Sequence, residues 1–203
     1  MYKKPIIVFE GIECSGKSHH IKNVSNYLKK KKIKFIKIRE PGGSQNSEKI
    51  RKLILNNKSN FDKFTDLLLY MASRNENFNN IILKNYNKKI ILIDRFIDST
   101  IAYQHYGMNI NEKIIKYINN YILKNIKVNF TFLNTVSKKN LILRLKKRRN
   151  LNRYDKFNYN FYSKVQNGFL KLAKNKKKYL IVNSNFPISK NKKLIINKLE
   201  KLI

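Results

Sequence analysis

Cysteine occurs once in the 203 residues, at Cys14, which excludes an intramolecular disulfide and fits a chain that works in a reducing cytoplasm. Acids are few: 12 Asp and Glu stand against 45 Lys and Arg, a formal net charge of +33 at pH 7. Long apolar runs are missing. No stretch approaches the roughly 20 residues of a membrane span. The opening Met1-Tyr2-Lys3-Lys4-Pro5 leads to a short apolar run before Glu10, which reads as a strand and not as a secretory leader. No break in composition divides the chain, so one domain over 1–203 is expected. Glycine is scarce too, with six in all. Four of them, Gly11, Gly16, Gly42 and Gly43, fall in two loops that follow expected strands, a placement that serves backbone geometry.

A charge this large raises the question of a polyanion partner. Yet lysine is spread over the whole length, with Asn as its commonest polar neighbour and Ile as the commonest apolar one. No arginine-rich tail or separate basic block appears. The charge therefore reads as a solvated surface, and contact with nucleic acid as incidental to it.

What is present begins at Glu10-Gly11-Ile12-Glu13-Cys14-Ser15-Gly16-Lys17-Ser18, which satisfies G-x-x-x-x-G-K-[ST]. The context fits: the run Pro5–Phe9 delivers the chain as a buried strand, and helical spacing begins near Lys17. Gly11 and Gly16 allow the backbone to turn so that successive N–H groups face inward and, with the following helix N-terminus, hold a phosphate. Lys17 is placed to reach the β/γ oxygens and Ser18 to ligate Mg²⁺. Cys14 is either a thiol activated by the helix N-terminus or a small residue filling a permissive position.

Strand and helix then alternate to the end. Strands are expected at 5–9, 33–38, 90–94, 128–133 and 179–183. Helices are expected from Lys17, at 45–56, 62–86, 111–125, 137–147, 158–175 and 189–203, with Asp98-Ser99-Thr100 capping another. Core faces are expected from Leu67, Leu68 and Met71, from Ile114, Ile118 and Ile122, and from Leu141, Leu143 and Leu145. The pattern predicts a doubly wound α/β sheet with helices on both faces. Asp94 ends the third strand, where an acid holds Mg²⁺ through water in phosphate-loop enzymes. Tyr70 and Arg74 stand four apart on one helix face; taken alone they read as a half-buried tyrosine and a surface arginine. The eight arginines, Arg39, Arg51, Arg74, Arg95, Arg144, Arg148, Arg149 and Arg153, lie mostly in loops or beside these motifs. Because arginine offers phosphate a fixed fork that lysine cannot, it marks geometry here, with Arg51 an exception on an exposed helix.

The loop at 10–18, then Arg39-Glu40-Pro41-Gly42-Gly43-Ser44, Leu69-Tyr70-Met71-Ala72-Ser73-Arg74 and Asp94-Arg95-Phe96-Ile97-Asp98-Ser99-Thr100-Ile101-Ala102-Tyr103-Gln104, in that order, resemble the bacterial thymidylate kinases. The resemblance implies a P-loop nucleoside-monophosphate-kinase-like sheet of five parallel strands, a homodimer, and Mg²⁺-dependent transfer of the ATP γ-phosphoryl group to dTMP. It assigns Gly11, Ile12, Glu13, Cys14, Ser15, Gly16, Lys17 and Ser18 to the ATP phosphates, with metal at Ser18 and Asp94. Glu13 would meet the deoxyribose 3′-OH, Arg39 and Pro41 would shape the dTMP pocket, and Arg95 would clamp its phosphate. Tyr70 would stack on thymine, Arg74 would face its exocyclic oxygen, Ser99 and Gln104 would read the base edge, and Tyr103 would lie beneath the sugar. Lys17, Arg95 and a lid arginine would be catalytic.

Members of that family carry an arginine either in the phosphate loop or in the lid; this loop has none, so the resemblance implies that the lid at about 146–156 supplies it. Arg148, Arg149 and Arg153 are the candidates, and Arg153 is favoured because Arg153-Tyr154-Asp155 is similar to the family's Arg-x-Glu lid signature. The chain departs from the family in Tyr70 for Phe, in Asp155 for Glu and in a lid about one residue short. Two rivals remain at this point: another nucleotide kinase of the same fold, and a basic nucleic-acid-binding protein with a vestigial nucleotide site.

Overall fold

The computed structural model of the protein describes residues 4–149, 151–175 and 177–203. At its centre is a five-stranded, wholly parallel sheet in the order β2-β3-β1-β4-β5. The strands are β1 (Ile6–Glu10), β2 (Phe35–Arg39), β3 (Ile90–Asp94), β4 (Phe130–Thr135) and β5 (Tyr179–Asn183). The three central strands are buried on both faces, which is why they read as near-continuous apolar runs. Ile6, Val8, Ile91 and Ile93 point to one side, against Leu67 and Met71 of α3 (Lys63–Asn77) and Ile115 and Ile122 of α6 (Glu112–Leu123). Ile7, Phe9, Leu92 and Phe132 point to the other, against Ile21, Val24 and Leu28 of α1 (Lys17–Lys30) and Ile195 and Leu199 of α9 (Ile188–Glu200). Alternation along each strand thus makes two cores from one sheet.

The remaining helices are α2 (Gln45–Leu55), α4 (Leu83–Asn85), α5 (Ile97–Thr100), α7 (Lys138–Lys146) and α8 (Tyr159–Leu172). The helix expected at 62–86 is one rod in which α3 passes through a π-helical turn, Phe78–Ile82, into α4. Likewise α5 continues as a π-helical stretch, Ile101–Gly107. A third apolar cluster, with Ile12, Tyr103, Leu133, Tyr154, Tyr162 and Phe169, ties the phosphate loop to α8 and to the short 3₁₀ turn Arg153–Lys156.

Several helix readings need correction. In α6 the buried positions are Ile115, Asn119, Ile122 and Leu123, while Ile114 is exposed. The helix is turned so that Asn119 can accept from Arg74 inside the protein. Asp98, Ser99 and Thr100 do not cap a helix; they lie within α5, whose N-cap is Phe96. Leu68 and Leu143 also face solvent.

Strand register sets the site. Phe9 pairs with Asp94, and Asp94 with Arg39, so the carboxyl ends of β1, β3 and β2 finish level at the crevice where β1 lies between β3 and β4. Among the described residues no helix is long and apolar enough to cross a membrane.

Candidate active site

A cleft of about 610 Å³ runs over these strand ends. The loop at 11–18 forms one wall. Gly11 has φ 136, and a Cβ there would stand 2.2 Å from the Asn134 carbonyl oxygen, so only glycine lets the loop lie this close to β4. Lys17 curls back, its Nζ donating to the carbonyls of Gly11 and Ile12 at 2.8 Å each and approaching Ser15 Oγ at 3.4 Å. Burial, and then the positive charge of Arg95, bring its pKa down to about 8. An ammonium in that position is short of negative charge, which phosphate oxygens would supply. Gly16 and Ser15 line the cleft beside it, while Ile12 packs into the third core. The Cys14 thiol is half-buried and burial pushes its pKa up, the direction opposite to that of an activated thiol.

Ser18 Oγ donates to Asp94 Oδ2 at 3.3 Å. This joins one hydroxyl and one carboxylate, hard oxygen donors at the mouth of a phosphate loop. Mg²⁺ fits such a pair, because it takes few protein ligands and fills its shell from water and phosphate.

The opposite wall is a charged network around Glu13. Its carboxylate accepts from Arg95 Nη2 at 2.9 Å and from the Tyr103 hydroxyl. Arg95 also donates to the Tyr103 oxygen at 3.2 Å and approaches Ser99 Oγ at 3.5 Å. The Ser99 hydroxyl lines the cleft and itself donates to Glu10 at 2.5 Å, at the arginine end. Polar atoms with no partner are found one residue on. Thr100 Oγ1 and Gln104 Nε2, four residues apart and both buried at the cleft wall, have no hydrogen-bond partner among the described residues. Buried polar atoms of this kind await a partner from elsewhere.

Arg74, which alone reads as a surface residue, is 1% exposed. Its guanidinium lies 2.8 Å from Glu40 Oε2, donates to Asn119 Oδ1 at 2.6 Å and covers the Phe96 ring at 5.1 Å. Tyr70 stands beside it at the cleft, edge-on to Tyr154 with centroids 6.1 Å apart. Burial, and then the charge of Asp66, push its phenol pKa upward. Arg39 lines the cleft while pairing with Glu48 at 3.0 Å. Pro41 lines it too, and its carbonyl accepts from Arg51 Nη1 at 2.5 Å. Arg51 is thus drawn into the cleft wall instead of lying on an exposed helix.

The lid arginines separate. Arg148 lines the cleft, held by Asp155 at 2.5 Å. Arg149 is exposed and is not among the lining residues. Arg153, favoured from sequence, turns its guanidinium to Asp66 and the Ile54 carbonyl and rests on Phe61 and Tyr154. The reason is Asp66, an acid buried on α3 that attracts the nearest cation. Position 150 lies outside the described residues. Sequence reasoning left Arg144 unassigned: it lines the cleft and ties the Cys14 carbonyl (2.9 Å) to that of Ser184 (2.8 Å). Its place four residues before Arg148 was the available signal. Thr100 carried none, and neither did Phe186 and Asn191, which line the cleft beyond β5.

A glycine-built anion cradle, a lysine within it, a hydroxyl–carboxylate pair and an arginine-lined cleft at the strand ends define a P-loop phosphotransferase of the nucleoside-monophosphate-kinase class. The thymidylate kinase family model matches residues 9–195, and the chain belongs to that family. It is 36% identical over 197 residues to a thymidylate kinase of Sulfurihydrogenibium sp. (strain YO3AOP1), covering 96% of each. It is 39% identical over 178 residues to that of Thermosipho africanus (strain TCF52B), covering 87% of this chain and 88% of the other. The crystal structure of thymidylate kinase from Ehrlichia chaffeensis superposes with a TM-score of 0.79 at 29% identity, over 98% of this chain and 99% of that one.

Proposed function

We propose that ATP lies with its phosphates in the loop 11–18 and dTMP in the facing half of the cleft, and that the two meet between Lys17 and Arg95. As a thymidylate kinase the chain transfers phosphoryl from ATP to dTMP, giving dTDP and ADP. The observation that carries the arrangement is Glu13. A residue of the ATP cradle itself binds Arg95 and Tyr103, so the two anion sites share one wall.

Transfer between two anions needs alignment and positive charge over the moving group more than covalent help. Lys17 exchanges its loop carbonyls for β/γ oxygens, and Arg95 turns from Glu13 to the dTMP phosphate. That frees the Glu13 carboxylate for the sugar hydroxyl above Tyr103. Tyr70 stacks on thymine. Thr100 and Gln104 take the base edge, Arg74 its exocyclic oxygen, and Arg39 and Pro41 close the pocket. Arg148 is the lid arginine, moved there from Arg153 because its guanidinium alone of the three borders the cleft. Mg²⁺ would be held at Ser18 and Asp94, where it would shield charge on the phosphates. The lid excludes water from the transfer.

On the same reading residues 1–203 are a single kinase domain with its lid at about 146–156, working in the cytoplasm. A homodimer is supported by apolar side chains left exposed on neighbouring helices, Phe64 and Leu68 on α3 and Ile114 on α6. Nucleic-acid contact is incidental to the surface charge. The test is ADP release coupled to a panel of monophosphates with ATP and Mg²⁺: dTMP is expected to outpace dCMP, dAMP and dGMP. Preference for any of those three would defeat the substrate assignment.

A further inference from the structure

Glu10 ends β1 immediately before the phosphate loop, fully buried. Phosphate binding gives no reason for a carboxylate at that spot, yet all its contacts lead to the dTMP side of the cleft. One oxygen accepts from the backbone N–H groups of Phe96 (2.8 Å) and Ser99 (3.2 Å), the other from the Ser99 hydroxyl (2.5 Å). Those N–H groups belong to the N-terminus of α5, whose N-cap, Phe96, has no side-chain acceptor of its own. Glu10 therefore caps α5 from another strand. Directly before Phe96 stands Arg95 with φ 66, a left-handed backbone that a side-chain-bearing residue keeps only when its surroundings impose it. The Arg95 N–H is bound to the Phe9 carbonyl at 3.0 Å. Consecutive residues of β1, Phe9 and Glu10, thus grip consecutive residues of the turn, Arg95 and Phe96. Ser99 Oγ, having donated to Glu10, is left as an acceptor 3.5 Å from Arg95 Nη1.

We infer that Glu10 is a positioning residue for Arg95, fixing both its backbone and its guanidinium, so that the acceptor phosphate is placed relative to the donor loop by one strand, β1, which runs into that loop and grips the Arg95 turn that follows β3. The inference rests on the assignment of Arg95 to the dTMP phosphate made above. Calorimetric titration of wild type, Glu10→Gln and Glu10→Asp with dTMP and with thymidine separates phosphate from nucleoside. The glutamine weakens charge-assisted bonds, and the aspartate is a methylene too short to reach. In both, dTMP affinity should fall about tenfold, the scale of one such bond. Thymidine affinity and the KM for ATP should stay within about twofold, a split that general loosening of the fold would not produce. Equal loss for both ligands, or retained dTMP affinity in a folded variant, overturns the inference. Should Glu10→Gln not fold, Glu10→Asp, which keeps the charge, decides alone. A wild type that binds dTMP no better than thymidine would instead fault the placing of the phosphate at Arg95.

Discussion

Arg148 and Arg153 sit five positions apart in the proposed lid, and their surroundings differ: one borders the cleft and the other is turned into the protein. Arg148 borders the cleft with its carboxylate partner, Asp155, able to release it to a phosphate. Arg153 neutralises Asp66, an acid 1% exposed on α3. Arg148→Ala should therefore lower kcat by about a hundredfold or more with little change in melting temperature. Arg153→Ala should leave kcat within about tenfold but cost about 3 kcal/mol of stability, because it strands a buried carboxylate. Steady-state rates set beside thermal melts distinguish the two, and the reverse pattern would return the catalytic duty to Arg153. Glu10 supplies a pH dependence. Burial first, then the charge of Asp98, raise its pKa to about 7, against the pull of Ser99, Phe96 and Arg95. A carboxyl whose folded pKa lies above its unfolded one contributes stability in acid that fades as pH rises through the folded value. Relative to Glu10→Gln, wild type should thus lose melting temperature between about pH 5 and pH 8; parallel curves would show that Glu10 does not titrate there.

At the scale of elements, α3 organises one side of the cleft through Asp66, Tyr70 and Arg74, spaced four apart on a single face. Asp66 receives Arg153 and the Tyr154 hydroxyl, and Tyr154 meets Tyr70 edge-on, so the helix that carries the ring proposed to stack on thymine also fastens the segment Arg153–Lys156. Asp66→Asn keeps the shape and removes the charge. It should speed hydrogen exchange at residues 151–157 and lower kcat about tenfold, with thymidine affinity within about twofold. Unchanged exchange would mean that the third apolar cluster alone holds the lid. All five strands were legible to within two residues, because a parallel sheet covered on both faces leaves apolar runs too dense to miss. The phosphate loop was legible because its chemistry is local. Arg74 was not: it looks exposed until Glu40 and Asn119, 34 positions before it and 45 after, meet it inside the protein. Asn119 spoiled the apolar periodicity of α6 for the same reason, and no spacing rule along one helix registers a partner on another.

Across the whole molecule the two cations divide the labour. Arg39, Arg51, Arg74, Arg95, Arg144 and Arg148, six of the eight arginines, line the cleft, whereas lysine coats the surface from end to end. Fixed forks are spent where phosphates must be oriented, and the lysines provide a diffuse positive field. Both substrates are anions, so that field should hasten their arrival without altering the chemistry once they are bound. Raising ionic strength from about 0.02 M to about 0.3 M, which shortens the screening length severalfold, should lower kcat/KM for dTMP and ATP steeply and leave kcat nearly level. The same field should bind mixed-sequence duplex DNA at low salt and release it over that range, with log affinity falling linearly in log salt. Turnover measured at physiological salt with DNA added reports whether the two effects are separate. Undiminished turnover would accord with a charge that steers small anions, while salt-resistant binding that slows the kinase would give the lysine coat a nucleic-acid partner of its own.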